Sequence, residues 1–179
     1  MAVLNKNSMP LYKVTVLPKA HSLGHTAMIP EKDELSHTKK QLIASIEVAL
    51  GGKVAEEVFL GPDRVTTGCS SDLQNATSVA YTYVRGMGMS EDVSVLSGQK
   101  KSFSDDLNYK VDTEANKLLN ESYQRVKSIM LNNQEAIHRI VRELIKKETL
   151  TADEFKALLE DRMTPVSPPK ISVTDRHPL

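Results

Sequence analysis

Asp72 closes the run Thr66-Thr67-Gly68-Cys69-Ser70-Ser71-Asp72, and an apolar helical stripe begins directly after it. Ser70 or Ser71 is read as the N-cap, which places Asp72 in the first helical turn. Unpaired amide N–H groups and the positive end of the helix dipole favour a carboxylate there. An ionised carboxylate fixed in this way suits a hard or borderline cation. The plainer reading of the same position is a helix-capping acid.

Three other features could carry chemistry. His21-Ser22-Leu23-Gly24-His25 has the i, i+4 spacing that puts two imidazoles on one helix face. Ser22 stands where a zinc-binding helix of that kind carries its glutamate, and Gly24 and the flanking strand signals argue against a helix. Both histidines are therefore read as exposed turn residues. Cys69 is the lone cysteine, so it forms no internal disulfide and belongs to no C-x-x-C pair. A thiol beside serines at a helix start can be reactive, but no nearby basic residue would hold a thiolate, and a small buried residue is the better reading. Lys53 follows Gly51 and Gly52, yet no G-x-x-x-x-G-K-[ST] phosphate loop exists in the chain.

The elements that must position these residues can be read from periodicity. Tyr12-Lys13-Val14-Thr15-Val16-Leu17 alternates and is β-branched, so it predicts a strand stopped by Pro18; His25 to Ile29 predicts a second, stopped by Pro30. The two are expected to pair as a hairpin through residues 19–24. Ser36 or Thr38 can cap a helix in which Leu42, Ile46, Leu50, Val54 and Val58 recur every fourth residue. Gly51-Gly52 inside that helix costs roughly 1 kcal/mol per glycine against alanine, which predicts close approach of another backbone. Gly61-Pro62-Asp63 predicts the turn that ends it. Leu73, Ala76, Ala80, Tyr83, Val84 and Met87 form the next stripe. Residues 91–105 are read as a loop, either near the site or a plain connector. The C-terminal third is helical, with a break at Asn132-Asn133 and a capping box at Thr151-Ala152-Asp153-Glu154.

Composition excludes several classes. Lysine plus arginine and aspartate plus glutamate are 23 each, so there is no overall field for nucleic acid or an anionic membrane. Tryptophan is absent and aromatics are few, so the core must be aliphatic. No apolar run approaches the ~20 residues of a membrane span. The N-terminus is neither a secretory signal nor an Arg-rich transit peptide.

GGKVAEEVFLG followed by VTTGCSSD resembles the peptidase domain of the FtsH-like, membrane-bound ATP-dependent zinc metalloproteases, whose pattern is GG-[KR]-x-AEE and then TTG-x-x-x-D. Met9-Pro10-Leu11-Tyr12-Lys13, Leu17-Pro18, Leu23-Gly24, Gly88-Met89-Ser90 and Glu148-Thr149-Leu150 extend the resemblance in the family's order, over residues 4–162. The opening Lys6-Asn7-Ser8-Met9-Pro10-Leu11-Tyr12 is most similar to the mitochondrial i-AAA branch. The resemblance implies that Asp72 is the third zinc ligand. It makes Glu56, one turn beyond Gly52, a candidate to orient a zinc-bound histidine, with a surface salt bridge as the alternative and Glu57 facing solvent. It makes Val14 and Val16 candidates for a strand to which an extended substrate adds by main-chain bonds, with a purely structural hairpin as the alternative.

The family carries its two other zinc ligands and its general base in an H-E-x-x-H helix, expected a few residues before Met1. These 179 residues contain neither that helix, which the resemblance implies is the backbone neighbour of Gly51-Gly52, nor the ATPase module. The chain is therefore read as the peptidase domain without its first catalytic helix, whether as a fragment, a gene-model truncation or a shortened paralogue. In the family, zinc lowers the pKa of a bound water to about 7 and polarises the scissile carbonyl, while the glutamate moves the proton. The expected fold is mainly α: a helical metallopeptidase-like domain over 1–163, with a β-hairpin at 12–29, helices at 38–60 and 71–87, a helical C-terminal subdomain at 106–160, and a disordered tail at 164–179. The expected function is the peptidase portion of an ATP-dependent zinc metalloendopeptidase that degrades membrane and unfolded polypeptides in mitochondrial quality control. It would work as a homo-oligomeric, hexameric ring on the intermembrane-space side of the inner membrane. Zinc is the implied cofactor, ATP acts only through the ATPase module, and the membrane is reached only through upstream segments. The chain alone is expected to be inactive. The alternative is a non-catalytic paralogue that serves as a helical assembly module of the ring.

Overall fold

The computed structural model describes residues 1–18, 24–29, 36–93 and 104–160. The histidine at position 21, most of the loop at 91–105 and the tail at 164–179 lie outside them. The described chain is mainly helical and divides into two compact units, 1–10 with 29–132 and 11–28 with 133–179. None of its helices is long and apolar enough to cross a membrane.

The first unit is built on α1 (Lys39–Leu60), α2 (Ser70–Tyr81) and α3 (Asp105–Asn132). Thr38, not Ser36, starts α1: its hydroxyl accepts from Gln41 N at 3.3 Å, and Gln41 Oε1 accepts from Thr38 N at 2.8 Å. That reciprocal pair is a capping box, satisfying two amides that a helix start leaves open. The helix ends at Gly61, whose φ of 92° suits a residue without Cβ and whose N–H reaches Glu57 O at 3.2 Å. Between these ends α1 buries Ala44, Ile46, Leu50 and Val54 against α2 and α3. Ala76 and Ala80 line the α2 side, and Val111, Ala115, Val126 and Met130 the α3 side. Burying one Val or Ile side chain contributes roughly 1.5–3 kcal/mol, so an aliphatic core suffices without tryptophan.

Two carboxylates of α1 tie it to α3. Glu47 is 4% exposed and accepts from Arg125 Nε at 2.6 Å and from Asn5 Nδ2 at 2.5 Å, which also fastens the N-terminal turn. Glu57 accepts from the Tyr123 hydroxyl and from Lys127 Nζ at 2.7 Å. Those bonds, Lys127 first and then Tyr123, hold the Glu57 carboxyl below its usual range. The helical run expected over 71–87 changes character at Thr82. It finishes as a π turn, Thr82–Gly86, in which Met87 N donates to Thr82 O at 2.8 Å.

The second unit holds a three-stranded sheet in the order β2-β1-β3, with β1 (Leu11–Thr15), β2 (His25–Met28) and β3 (Thr149–Thr151), all pairs antiparallel. Two helices complete it, α4 (Gln134–Lys147) and α5 (Ala152–Glu160). The subdomain expected over 106–160 is thus divided, because α3 packs on α1 while 133–160 folds with the N-terminal strands. β3 escapes periodicity because it has three residues. It is aimed by Glu148, which ends α4 at φ 59° and whose carbonyl accepts from Thr15 Oγ1 at 3.0 Å and Val16 N at 2.9 Å. Leu150 then lies fully buried opposite Val14.

The capping box of α5 forms as its sequence predicts. Glu154 accepts from Thr151 N at 3.0 Å and from its hydroxyl at 3.1 Å, Glu154 N donates to Thr151 Oγ1 at 3.3 Å, and Lys147 Nζ adds a bond at 2.8 Å. Lys147 first, and then Thr151, hold the Glu154 carboxyl down at about 2. A carboxyl lowered on folding stabilises the fold above its unfolded value, and that contribution drains away as pH falls through the folded one. The box should therefore be intact at neutral pH and lose its grip on α5 between about pH 4.5 and pH 2. A carbon-detected NMR titration of Glu154 checks this; a midpoint at the ordinary glutamate value would show that the box does not form in solution.

Candidate functional site

The chain between α1 and α2 is a series of short turns. After Gly61 comes a 3-10 turn at Pro62–Arg64, then Thr66, then a second 3-10 turn at Thr67–Cys69 that runs directly into α2. Thr66 Oγ1 accepts from Gly68 N at 3.2 Å and so caps this second turn. The N-cap of α2 is consequently Cys69, with no side-chain capping bond, and neither Ser70 nor Ser71 has that role. The correction has a simple cause: the 3-10 turn feeds its geometry straight into the helix, so the capping side chain sits before it, at Thr66. Cys69 is buried, with its Sγ 3.5 Å from Thr66 O.

Asp72 is in the first turn of α2 and exposed. None of the hydrogen bonds or ion pairs among the described residues engages its carboxylate, so it does not act as a cap. Its Oδ2 lies beside α1: a Cβ built on Gly52 would sit 3.7 Å from it and 3.9 Å from Cys69 Cβ. On the preceding residue, Gly51, a Cβ would meet Met1 Cγ at 3.4 Å and Met130 Cε at 3.9 Å. Among the described residues the two glycines face side chains; the close backbone expected beside them belongs to a helix that is not among these residues.

Glu56 lies one turn beyond Gly52. Both of its oxygens are engaged by one residue: Thr66 N donates at 2.6 Å and Thr66 Oγ1 at 2.9 Å. Glu57 does not face solvent as expected, being tied to Tyr123 and Lys127 on α3. The value of Thr66 is the residue role that sequence reading missed. The hint was present in Thr66-Thr67-Gly68, a hydroxyl two residues before a glycine, which is an ST-turn pattern.

Val14 is paired on both sides, with Thr26 in β2 and Leu150 in β3, and Val16 N donates to Glu148 O at 2.9 Å. The main chain of β1 is thus occupied on both sides at Val14, Val16 lies just past its end, and among the described residues the outer strands of the sheet are β2 and β3. His25 is the first residue of β2 and exposed, in extended backbone that is not helical.

Asp72 offers an anionic oxygen that is exposed and uncommitted, which suits one ligand of a zinc ion. Among the described residues no group of three or more His, Cys, Asp or Glu side chains could hold a metal. The donor fits, and it is a single donor.

Residues 1–158 match peptidase family M41. The chain is 40% identical over 171 residues to a Drosophila melanogaster protein named ATP-dependent zinc metalloprotease YME1L, covering 92% of this chain and 23% of that one. It is 39% identical over 159 residues to the Arabidopsis thaliana ATP-dependent zinc metalloprotease FTSH 11, chloroplastic/mitochondrial, covering 89% and 20%. It is 39% identical over 158 residues to the Saccharomyces cerevisiae mitochondrial inner membrane i-AAA protease supercomplex subunit YME1, covering 87% and 21%. The chain spans about a fifth to a quarter of the length of these curated relatives.

The space beside Gly52 makes a stability prediction. A methyl group there meets Asp72 and Cys69 at ordinary van der Waals distance, while alanine is worth about 1 kcal/mol over glycine in a helix interior. Gly52→Ala should raise the urea midpoint by a corresponding amount. A lower midpoint would contradict the open geometry at this position.

Proposed function

Because this chain belongs to peptidase family M41, we propose that it is the part of a zinc metalloendopeptidase domain that contributes Asp72 as a metal ligand. The observation that carries this reading is the Asp72 carboxylate itself: exposed, unengaged among the described residues and delivered by a well-bonded turn. Two histidines and a glutamate from an H-E-x-x-H helix outside these residues complete the site. Zinc in such a site supplies Lewis acidity toward water and the scissile carbonyl. Asp72 holds an oxygen donor at a fixed place, and Glu56 secures the turn behind it. In the other unit, taken by itself, the sheet whose strand β1 contains Val14 and is followed directly by Val16 is the candidate for main-chain bonds to an extended polypeptide.

The whole protein, in this reading, is an ATP-dependent protease of mitochondria, assembled as a homo-hexameric ring at the inner membrane on the intermembrane-space side. It acts on unfolded and membrane polypeptides. Names of the relatives support the class and the organelle. The described residues supply Asp72 to that set, and the isolated chain is expected not to cut peptides.

Equilibrium dialysis and a casein digestion test this. The isolated chain should bind zinc no more tightly than an exposed carboxylate does and release no peptides. In the full-length protease, Asp72→Asn should abolish stoichiometric zinc and activity together. One tightly held zinc per isolated chain, with chelator-sensitive digestion, would overturn the inactive reading. Full zinc occupancy in Asp72→Asn would overturn the ligand assignment and favour a non-catalytic assembly module of the ring.

A further inference from the structure

We propose that Glu56 is a positioning residue that sets the placement of Asp72 through Thr66, without contacting the metal. This rests on the reading of Asp72 as a zinc ligand and adds the means by which it is held. Glu56 projects from the same side of α1 as Gly52, the residue that Asp72 faces. Its two oxygens receive the Thr66 amide at 2.6 Å and hydroxyl at 2.9 Å. Thr66 then uses the other face of that hydroxyl to accept from Gly68 N at 3.2 Å, and its carbonyl lies 3.5 Å from Cys69 Sγ. Every link between Glu56 and the start of α2 is therefore a hydrogen bond to a backbone or side-chain atom of three residues in one short turn. The N-cap of α2 makes no side-chain capping bond of its own, so nothing else of that kind fixes where its first turn begins.

A bidentate carboxylate on an amide and a hydroxyl is a directional restraint, because both donors must point at one group at once. Releasing it leaves Thr66 free to turn, and with it the cap on Gly68. Asp72 itself has no bond among the described residues that would keep it in place. Its position is set by the turn together with the packing of α2 on α1 and α3, and a metal ligand displaced by about 1 Å from productive geometry loses much of its value.

Cys69 provides a readout that involves no metal. It is 7% exposed, at the end of the same turn and with its Cβ beside Gly52 of α1, so its reaction with an aromatic disulfide reports separation of that turn from α1. In the 179-residue chain, Glu56→Ala should raise the labelling rate about tenfold or more with the helical circular dichroism unchanged. Glu56→Gln should stay near the parent rate, since its amide can accept from the Thr66 N–H and donate to the hydroxyl. Cobalt(II) affinity of the full-length protease provides the functional arm. Glu56→Ala should weaken it about 10- to 100-fold, the range for residues that orient ligands, and Glu56→Gln should largely rescue it. Parent-like labelling in Glu56→Ala, or opened labelling with parent-like cobalt affinity, overturns the positioning role while leaving Asp72 as a ligand. Parent-like cobalt affinity in Asp72→Asn removes the ligand assignment itself, and the positioning role with it.

Discussion

Helix α1 is packed on two sides at once, and the first unit depends on that double contact. Its apolar stripe, Ala44, Ile46, Leu50 and Val54, is closed over by α2 and α3. Hydrophobic burial supplies the energy but no register, because aliphatic side chains accept many small shifts. Register comes from polar atoms. Glu47 sits among the buried residues and is matched by Arg125 and Asn5. A buried carboxylate without such partners would cost more than the packing around it gains, so this one helix–helix arrangement is singled out from its neighbours.

The same helix organises the connection to α2. Along one turn of α1 are Gly52, beside which the Asp72 carboxylate lies, and Glu56, which holds Thr66. Contact and tether thus come from the same element. The turn between them is made of two 3-10 segments with few residues to spare, and it runs into α2 without a conventional cap. A longer loop would pay little more in closure entropy, but it would let the first turn of α2 wander. Shortness serves placement here.

Much of this was legible in the sequence, and the exceptions are instructive. The apolar residues of α1 recur every fourth position and its expected ends lie within one residue of those observed, whereas the run expected over 71–87 continues past the end of α2 at Tyr81 only as the π turn to Gly86. Thr151-x-x-Glu154 announced its capping box because the box is local: four residues contain the whole interaction. β3 was invisible because three residues carry no period, and its existence depends on Glu148 turning the chain back toward Thr15, a contact 133 positions away. The N-cap of α2 was misplaced by one or two residues because serines before an acid are the ordinary signal, whereas the bond that matters belongs to Thr66 and serves the preceding turn. At Gly51-Gly52 composition signals only a close neighbour: among the described residues the side chains of Met1, Met130, Asp72 and Cys69 lie there, and the backbone expected beside the pair belongs to a helix outside these residues.

The pair Glu56-Glu57 shows how far neighbouring identical residues can diverge. Successive positions on an α-helix point about 100° apart, so two adjacent glutamates cannot share a neighbour. One turns toward the Thr66 turn, the other toward Tyr123 and Lys127 on α3. The charge environments differ accordingly. Glu57 meets a cation and a phenol, and its carboxyl is held low by them, whereas Glu56 meets only the amide and hydroxyl of one threonine. A carboxylate is suited to both tasks because it accepts two hydrogen bonds side by side. Exchanging either for aspartate shortens the reach by one methylene and breaks the bidentate approach, although the charge is kept. What the sequence presents as a repeated acid is two separate devices, one joining helix to helix and one joining helix to turn. The wheel geometry of α1 assigns them.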